Sequence, residues 1–126
     1  MDEKLTKIEI ITRPNKLDEL KDALNEIGVL GMTVSQVYGC GLQRGHKETY
    51  RGQDFDVNLV PKIKIEVVVC EIPVETVLDT AQRVLRTGKI GDGKIFVYEL
   101  SDAVRIRTGD RGVAAIKDIP GEKPER

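Results

Sequence analysis

The strongest strand pattern of this chain is PKIKIEVVVC, which runs from Pro61 to Cys70. Successive side chains of a strand point to opposite faces, so residues two apart share a face. One face of this segment is entirely apolar and β-branched: Ile63, Ile65, Val67 and Val69. The other face is mostly charged: Lys62, Lys64, Glu66 and Val68. The pattern predicts a strand that is buried on one side.

A helix and two further strands are predicted after this segment. Pro73 suits the first turn of a helix, because the N–H that proline lacks has no partner there. The apolar residues that follow recur at helical spacing: Val74, Val77, Leu78, Ala81, Val84 and Leu85. The runs 95–100 and 104–108 are predicted to be the last two strands.

The residues before Pro61 predict a strand, a helix and a second strand. The first strand alternates at Ile8, Ile10 and Thr12. Pro14 ends that strand, Asn15 can cap the helix, and Gly28 lies just past the end of the helix. The helix has one apolar stripe: Leu17, Leu20, Leu24 and Ile27. A β-branched run at 32–38 is the second strand.

The resulting βαββαβ order is that of the ferredoxin-like fold, an α+β fold with an antiparallel sheet and both helices on one face. Residues 1–116 are predicted to be a single domain, and 117–126 a flexible polar tail. The segment 39–59 is predicted to be a long loop between the second and third strands. Loops of this length are uncommon unless they are functional or disordered. The loop is either a solvated insertion or a flexible finger that orders when it binds a partner.

Composition excludes several classes of protein. The 126 residues carry a formal net charge of −1, which argues against general nucleic-acid binding. No apolar run is long enough to span a membrane, and the N-terminus does not read as a signal peptide. Cys40 and Cys70 lack metal or redox spacing, and the lone His46 lacks catalytic partners. A cytoplasmic protein is predicted.

The main functional motif is TGKIGDGKIF, from Thr87 to Phe96. Its glycines let backbone N–H groups approach a ligand closely, and its lysines add positive charge, as a phosphate site requires. Arg105 and Arg107 are two residues apart, so on a strand both would point the same way. Together these residues predict a nucleotide polyphosphate site. A plain glycine turn between helix and strand is the alternative reading of the glycines.

The sequence argues against a P-loop. The spacing G-x-x-x-x-G-K is present, but Ile95 stands where a Ser or Thr should hold magnesium. The order is also helix–loop–strand, whereas a P-loop runs from strand to helix.

The chain resembles the PII signal-transduction family, the GlnB/GlnK type of nitrogen regulator, over about residues 7–116. The resemblance is carried by four stretches: GMTV at 31–34, GLQRGH at 41–46 with YRG at 50–52, TGKIGDGKIF at 87–96, and RIRTG at 105–109. It implies a homotrimer with an ATP or ADP site in each cleft between subunits. It also implies a sensor without enzymatic activity that binds 2-oxoglutarate together with Mg²⁺ and ATP.

The resemblance also implies which residues bind each ligand. The ATP/ADP site would comprise Thr33, Gly41, Leu42, Gln43, Glu66, Val68, Gly91, Asp92, Gly93, Lys94, Arg105, Ile106 and Arg107. The 2-oxoglutarate site would comprise Gln43, Arg44, Gly45 and Lys62. Gln43 would also coordinate Mg²⁺ with its amide oxygen.

Three positions depart from the family pattern. Leu42 replaces a basic residue that commonly reaches the nucleotide phosphates. Phe55 replaces the tyrosine that is nucleotidylylated in some members, and Gln53 replaces the serine that is phosphorylated in others.

The resemblance implies an ammonium transporter as the leading partner, with recruitment to the inner face of the membrane. Glutamine synthetase and a nitrogen-responsive transcription factor are further possible partners.

Two other functions fit the same topology. An RNA-binding module would stack bases on sheet aromatics and carry a Lys/Arg-Gly-Phe-type strand motif, but the chain offers few aromatics, Tyr38, Phe96 and Tyr98, and no such motif. A small nucleotide-hydrolysing enzyme would need a general base near the glycine motif, and none is evident in the sequence.

Overall fold

The computed structural model describes residues 4–42 and 57–117. Four strands, three α-helices and one 3₁₀ turn follow each other in these residues: β1 (Leu5–Thr12), the 3₁₀ turn (Pro14–Lys16), α1 (Leu17–Glu26), β2 (Thr33–Leu42), β3 (Val57–Val69), α2 (Val74–Leu85), β4 (Lys94–Leu100) and α3 (Val113–Ile116). The sheet is antiparallel and has the strand order β2-β3-β1-β4. This arrangement confirms the predicted α+β, ferredoxin-like fold.

The core lies between the sheet and the helices α1 and α2. The central strands β1 and β3 pair Ile8 with Val67 and Ile10 with Ile65, so their β-branched residues form one buried surface. Helix residues cover that surface: Leu20, Leu24, Val77, Ala81 and Leu85. Each large apolar side chain buried in this way stabilises the fold by about 1.5–3 kcal/mol. The alternation predicted for both strands and the apolar stripes of both helices are therefore confirmed.

The starts of both helices differ from the prediction. Asn15 does not cap α1 but lies in the 3₁₀ turn, because Pro14 fixes a backbone angle that starts a tight turn directly after β1. Lys16 then occupies the cap position of α1. Pro73 precedes α2 as its cap residue, and its carbonyl accepts hydrogen bonds from Thr76 and Val77 N–H at 3.1 and 3.3 Å.

The hairpin of β2 and β3 is longer than predicted. Pairing continues from Gly39 opposite Val60 to Leu42 opposite Val57. The prediction of a loop over 39–59 is therefore wrong at both ends, because alternating backbone hydrogen bonds extend the strands through these positions. Residues 43–56, the remainder of the predicted loop, lie outside the described residues, as does the predicted tail from 118 onward.

The predicted strand at 104–108 is also wrong. Val104 makes an isolated bridge with Arg111, and the chain turns back between them. Gly109 N–H donates to the carbonyl of Arg105 at 2.7 Å, and Arg105 N–H donates to the carbonyl of Asp110 at 2.9 Å. Positive φ at Gly109 (79°) allows this reversal, so two alternating arginines did not suffice to form a strand. Among residues 4–42 and 57–117, no helix is both long and apolar enough to cross a membrane.

Candidate nucleotide site

The residues Thr87–Gly93, here called the glycine loop, connect α2 to β4. Gly88, Gly91 and Gly93 have φ values of 86°, 108° and 104°, which side chains rarely tolerate. A Cβ atom at Gly93 would lie 1.9 Å from the carbonyl oxygen of Ile11. Glycine is therefore required at position 93 both for its backbone angle and for the close approach of the loop to β1.

Asp92 closes the glycine loop with its carboxylate. Oδ2 accepts the N–H groups of Thr87 (2.8 Å) and Gly88 (2.9 Å), and Oδ1 accepts the Thr87 hydroxyl at 2.5 Å. Oδ1 also accepts Nη1 of Arg13 at 2.5 Å. The Thr87 hydroxyl, the Arg13 guanidinium and these N–H groups hold the pKa of Asp92 well below its usual range. The side chain of Asp92 is thus committed to shaping the loop.

The loop is also tied to the sheet through its carbonyl groups. Arg13 Nη2 donates to the carbonyl of Ile90 at 3.0 Å, and Thr12 Oγ1 donates to that of Asp92 at 2.8 Å. Lys62 Nζ, which projects from β3, donates to the carbonyl of Gly91 at 2.9 Å. The resemblance assigned Lys62 to 2-oxoglutarate and the glycines to ATP or ADP. In the structure, Lys62 and the glycine loop are in direct contact.

A cavity of about 1030 Å³ opens where β2 begins and β3 ends. Three residues predicted for the nucleotide site line it: Thr33, Glu66 and Val68. Thr33 and Glu66 are paired across β2 and β3, which places them side by side. Ala115, Ile116 and Lys117 also line the cavity. The cavity combines apolar walls with a carboxylate and a hydroxyl, so it suits a ligand that is partly apolar and has polar groups.

Glu66 is held in place by Lys7 of β1. Lys7 Nζ donates to Glu66 Oε2 at 3.0 Å and lies 4.6 Å from the ring centre of Tyr98. The hydrogen bond to Glu66 raises the pKa of Lys7, and burial opposes that shift. Tyr98 in turn donates to Glu9 at 3.4 Å. Glu66 is therefore part of a charged network on the open face of the sheet.

The arginines of the predicted site are placed differently from the expectation. Arg105 Nη1 donates to Asp110 at 3.2 Å, and Nη2 donates to the carbonyl of Lys117. Because the segment is a turn, Arg105 and Arg107 do not share a strand face. Ile106 between them is 97% exposed, and Lys94 is exposed at the start of β4.

Other predicted residues lie at the end of β2 or directly after it. Gly41 and Leu42 lie at the end of β2, opposite Asn58 and Val57. The predicted ligands of magnesium and 2-oxoglutarate at positions 43–45, Gln43, Arg44 and Gly45, lie outside the described residues, as does His46. No group of three or more histidine, cysteine or acidic side chains suited to a metal is present in the part of the chain that the structure describes.

Sequence reasoning missed Thr12 and Arg13. Thr12 is the last residue of β1, and Arg13 lies between it and Pro14. The spacing of residues does not distinguish a side chain that binds a distant loop from one that simply ends a strand. A charged residue directly before a proline turn was the one available signal.

Comparison with known proteins identifies the family. Residues 5–110 match the family model described as nitrogen regulatory protein P-II. The nitrogen regulatory PII-like protein of Bacillus subtilis is 50% identical over 116 residues, which cover 92% of this chain and all of that protein. A structure of a B. subtilis GlnK–ATP complex is 46% identical, with a TM-score of 0.78 over 91% of this chain and 98% of that one.

A structure of Arabidopsis thaliana PII bound to citrate is 42% identical, with a TM-score of 0.71 over 90% of this chain and 94% of that one. The family match spans most of the chain, and relatives of about half identity align over their full length. The chain belongs to the P-II family of nitrogen regulatory signal proteins.

Proposed function

We propose that this protein senses ATP, ADP and 2-oxoglutarate and transmits their levels to target proteins without catalysing a reaction. The observation that carries the proposal is the 2.9 Å hydrogen bond from Lys62 to the carbonyl of Gly91. It joins a cation suited to a carboxylate with a loop suited to phosphates, so two anionic ligands would bind side by side. The similar GlnK is known as a complex with ATP, and the similar Arabidopsis PII as a complex with citrate, a polycarboxylate.

The nucleotide would span the glycine loop and the cavity. Backbone N–H groups of the loop and the ammonium of Lys94 would bind the phosphates, since both are donors that suit phosphate oxygens. Thr33, Glu66 and Val68 would contact the nucleoside, and the end of β2 at Gly41 and Leu42 would cover it. Leu42 supplies no charge, so Lys94 carries more of the phosphate binding here than in relatives with a basic residue at that position.

The remaining phosphate contacts would come from a second copy of the chain in a homotrimer. Ile90 and Ile106 are almost fully exposed, and each adjoins residues proposed to bind phosphate. Exposed apolar side chains of this kind are typical of surfaces that are covered on assembly. A neighbouring subunit that covers them would bring its Arg105, Ile106 and Arg107 to the glycine loop.

2-Oxoglutarate would bind beside the phosphates through Lys62, with Gln43, Arg44 and Gly45 closing over it. Mg²⁺ favours oxygen ligands, and the residue set fits this ion because most ligands would come from the phosphates and the oxo-acid, with Gln43 adding one amide oxygen. Lys62 already contacts the glycine loop, so a carboxylate at its ammonium group would lie close to bound phosphates.

The segment between β2 and β3 would be the element that reads the ligand state. An ammonium transporter is the leading partner, with glutamine synthetase or a transcription factor as other clients. The protein would act in the cytoplasm and at the inner face of the membrane. Phe55 and Gln53 lack a hydroxyl, so switching would depend on ligands and not on modification at those positions. Only a difference in ligand affinity between loop conformations can drive such a switch.

Calorimetric titration tests this proposal. The protein should bind ATP and ADP competitively, bind 2-oxoglutarate only with Mg²⁺ and ATP present, and not bind single-stranded RNA. Gln43→Ala should abolish oxo-acid binding and leave ADP binding nearly unchanged. Binding of RNA but not ATP would instead support the RNA-binding alternative, and steady ATP turnover would support an enzyme.

Mixed assemblies test the shared site. Lys94→Ala and Arg105→Ala subunits should each assemble into trimers that bind ATP weakly. Co-refolding the two should restore some wild-type sites, because one interface then combines an intact Lys94 with an intact Arg105. Unrestored affinity in mixed trimers would rule out a site made from two subunits.

A further inference from the structure

Three consecutive carbonyl groups of the glycine loop are anchored by side chains from outside the loop. The carbonyls of Ile90, Gly91 and Asp92 accept hydrogen bonds from Arg13, Lys62 and Thr12, respectively. These donors lie at the end of β1 and in β3, whereas the loop itself connects α2 and β4. The donors and the loop are therefore brought together only by the folded sheet.

Anchoring a carbonyl also fixes the direction of the next N–H group. In a planar trans peptide, the C=O of one residue and the N–H of the next point in opposite directions. The anchored carbonyls of Ile90 and Asp92 thus turn the N–H groups of Gly91 and Gly93 away from Arg13 and Thr12. The N–H of Asp92 completes a turn with the carbonyl of Lys89 at 3.4 Å.

Such anchors matter because glycine peptides reorient easily. Gly91 and Gly93 restrict the backbone less than other residues, and a reversed peptide would present a carbonyl oxygen to an incoming anion. We infer that Thr12 and Arg13 are positioning residues of the phosphate site, with Lys62 as a third anchor. Arg13 and Thr12 hold the N–H groups of Gly91 and Gly93 toward a nucleotide's phosphates without touching those phosphates themselves. Lys62 anchors the peptide between them, whose Asp92 N–H stays within the loop. The inference rests on the proposed nucleotide binding and assigns part of its affinity to these side chains.

Thr12 isolates this effect best. Its side chain is almost completely buried, at 1% exposure, so it is not open to a ligand, and its hydroxyl donates to the carbonyl of Asp92. Arg13 also bonds the Asp92 carboxylate, and Lys62 has its own proposed ligand, so substitutions of either would change two interactions.

The test compares Thr12→Val, Thr12→Ser and a matched control, Thr80→Val. Thr80 is also buried and donates to a carbonyl, that of Thr76 at 2.7 Å, but it lies in α2 away from the loop. Calorimetry measures ATP and adenosine affinity for each variant. Loss of one hydrogen bond should weaken ATP binding by Thr12→Val about threefold to tenfold. Adenosine binding should not change, Thr12→Ser should restore ATP affinity, and Thr80→Val should match the wild type.

Two results would overturn the inference. One is wild-type ATP affinity in Thr12→Val, and the other is an equal loss of ATP and adenosine affinity. If the wild type binds no ATP, the proposed function is wrong, but the anchoring of the loop can still be tested by nuclear magnetic resonance. The Gly93 amide signal should shift in Thr12→Val and stay near its wild-type position in Thr12→Ser and Thr80→Val. If Thr12→Val does not fold, Arg13→Met should shift the Gly91 signal more than Arg13→Lys, and equal shifts would contradict the inference.

Discussion

Two turns of this protein are each closed by one aspartate, and they differ in what else holds them. In the glycine loop, Asp92 accepts hydrogen bonds from Thr87, Gly88 and Arg13. In residues 102–112, here called the C-terminal turn, Asp102 accepts the N–H groups of Ala103 and Gly112 at 2.8 and 3.0 Å. Asp102 also accepts the guanidinium of Arg111, with Nε at 2.9 Å. Each carboxylate therefore joins the two ends of its own turn by hydrogen bonds.

The difference lies in the reach of the other contacts. The glycine loop is bonded to Thr12, Arg13 and Lys62, which are distant in sequence and belong to or adjoin the central strands. The bonds of Asp102 and Arg105 in the C-terminal turn stay within 12 residues. Local bonds give a turn its shape, but only contacts to the sheet fix its position.

The comparison is tested most strongly by adding one methyl group to each turn. Gly93→Ala should lower the free energy of unfolding by about 3–4 kcal/mol, because the Cβ atom meets the Ile11 carbonyl and φ is unfavourable. Gly109→Ala should cost only about 1–2 kcal/mol, since φ is similarly positive but, among the described residues other than its chain neighbours, none has an atom within 4 Å of the added Cβ. Urea unfolding at one protein concentration measures both. Equal losses would mean that the loop does not pack against β1 as closely as described.

The next largest effect concerns the lysines of the glycine motif. Lys94→Ala should weaken ATP binding at least about tenfold, or roughly 1.4 kcal/mol, because Lys94 is the proposed phosphate ligand. Lys89→Ala is the matched control: Lys89 is exposed in the same loop and its N–H bonds Thr87, so its side chain should contribute little. Calorimetry with ATP distinguishes the two. A larger loss in Lys89→Ala would place the phosphates at the other end of the loop.

The sequence predicted the glycine loop better than the C-terminal turn for physical reasons. Glycines that need positive φ are a local property, and Gly88, Gly91 and Gly93 all have it. The strand expected around Arg105 rested on two alternating residues, whereas the following glycine and the carboxylate of Asp110 favour a turn. A pattern that short does not outweigh local turn-forming bonds.

Long-range anchors escaped prediction altogether. Thr12 was predicted only as a residue of the first strand, and Arg13 was given no role, because their partners lie about 80 residues further along the chain. Lys62 was assigned through the family resemblance, and its contact with Gly91 became visible only in the folded sheet. Strand periodicity predicts which face a residue occupies, but not which loop crosses that face.

A smaller effect is expected from Asp110 in the C-terminal turn. Asp110→Asn removes the ion pair between Asp110 and Arg105. Both side chains are partly exposed, and such pairs contribute about 0–1 kcal/mol to stability. Arg105 keeps its bond to the Lys117 carbonyl, so ATP affinity should fall less than about fivefold. Arg105→Ala should weaken ATP binding more than Asp110→Asn in the same titration. The reverse order would show that Asp110, and not Arg105, is the group that binding depends on.

The smallest expected effect concerns protonation of the Asp92 carboxylate at low pH, which leaves the free energy of unfolding at neutral pH unchanged. The hydrogen bonds to Asp92 lower its pKa in the folded state, so their contribution to stability is complete above the unfolded value of roughly 3.9. That contribution is lost only as the pH falls below this value toward the lowered folded pKa.

The carboxyl carbon signal of Asp92, followed by nuclear magnetic resonance from pH 7 to pH 2, should therefore remain that of an ionised group after Asp102 has begun to protonate. Arg111 also lowers the pKa of Asp102, whose hydrogen bonds among the described residues come from its own turn. Thr87→Val should raise the pKa of Asp92, because the Thr87 hydroxyl is the largest cause of its shift, whereas Thr108→Val, which removes a hydroxyl bonded to Asp110 at 2.9 Å, should not. Protonation of Asp92 near pH 4 in the wild-type protein would mean that its carboxylate does not close the glycine loop, and the two turns would then differ in more than their contacts to the sheet.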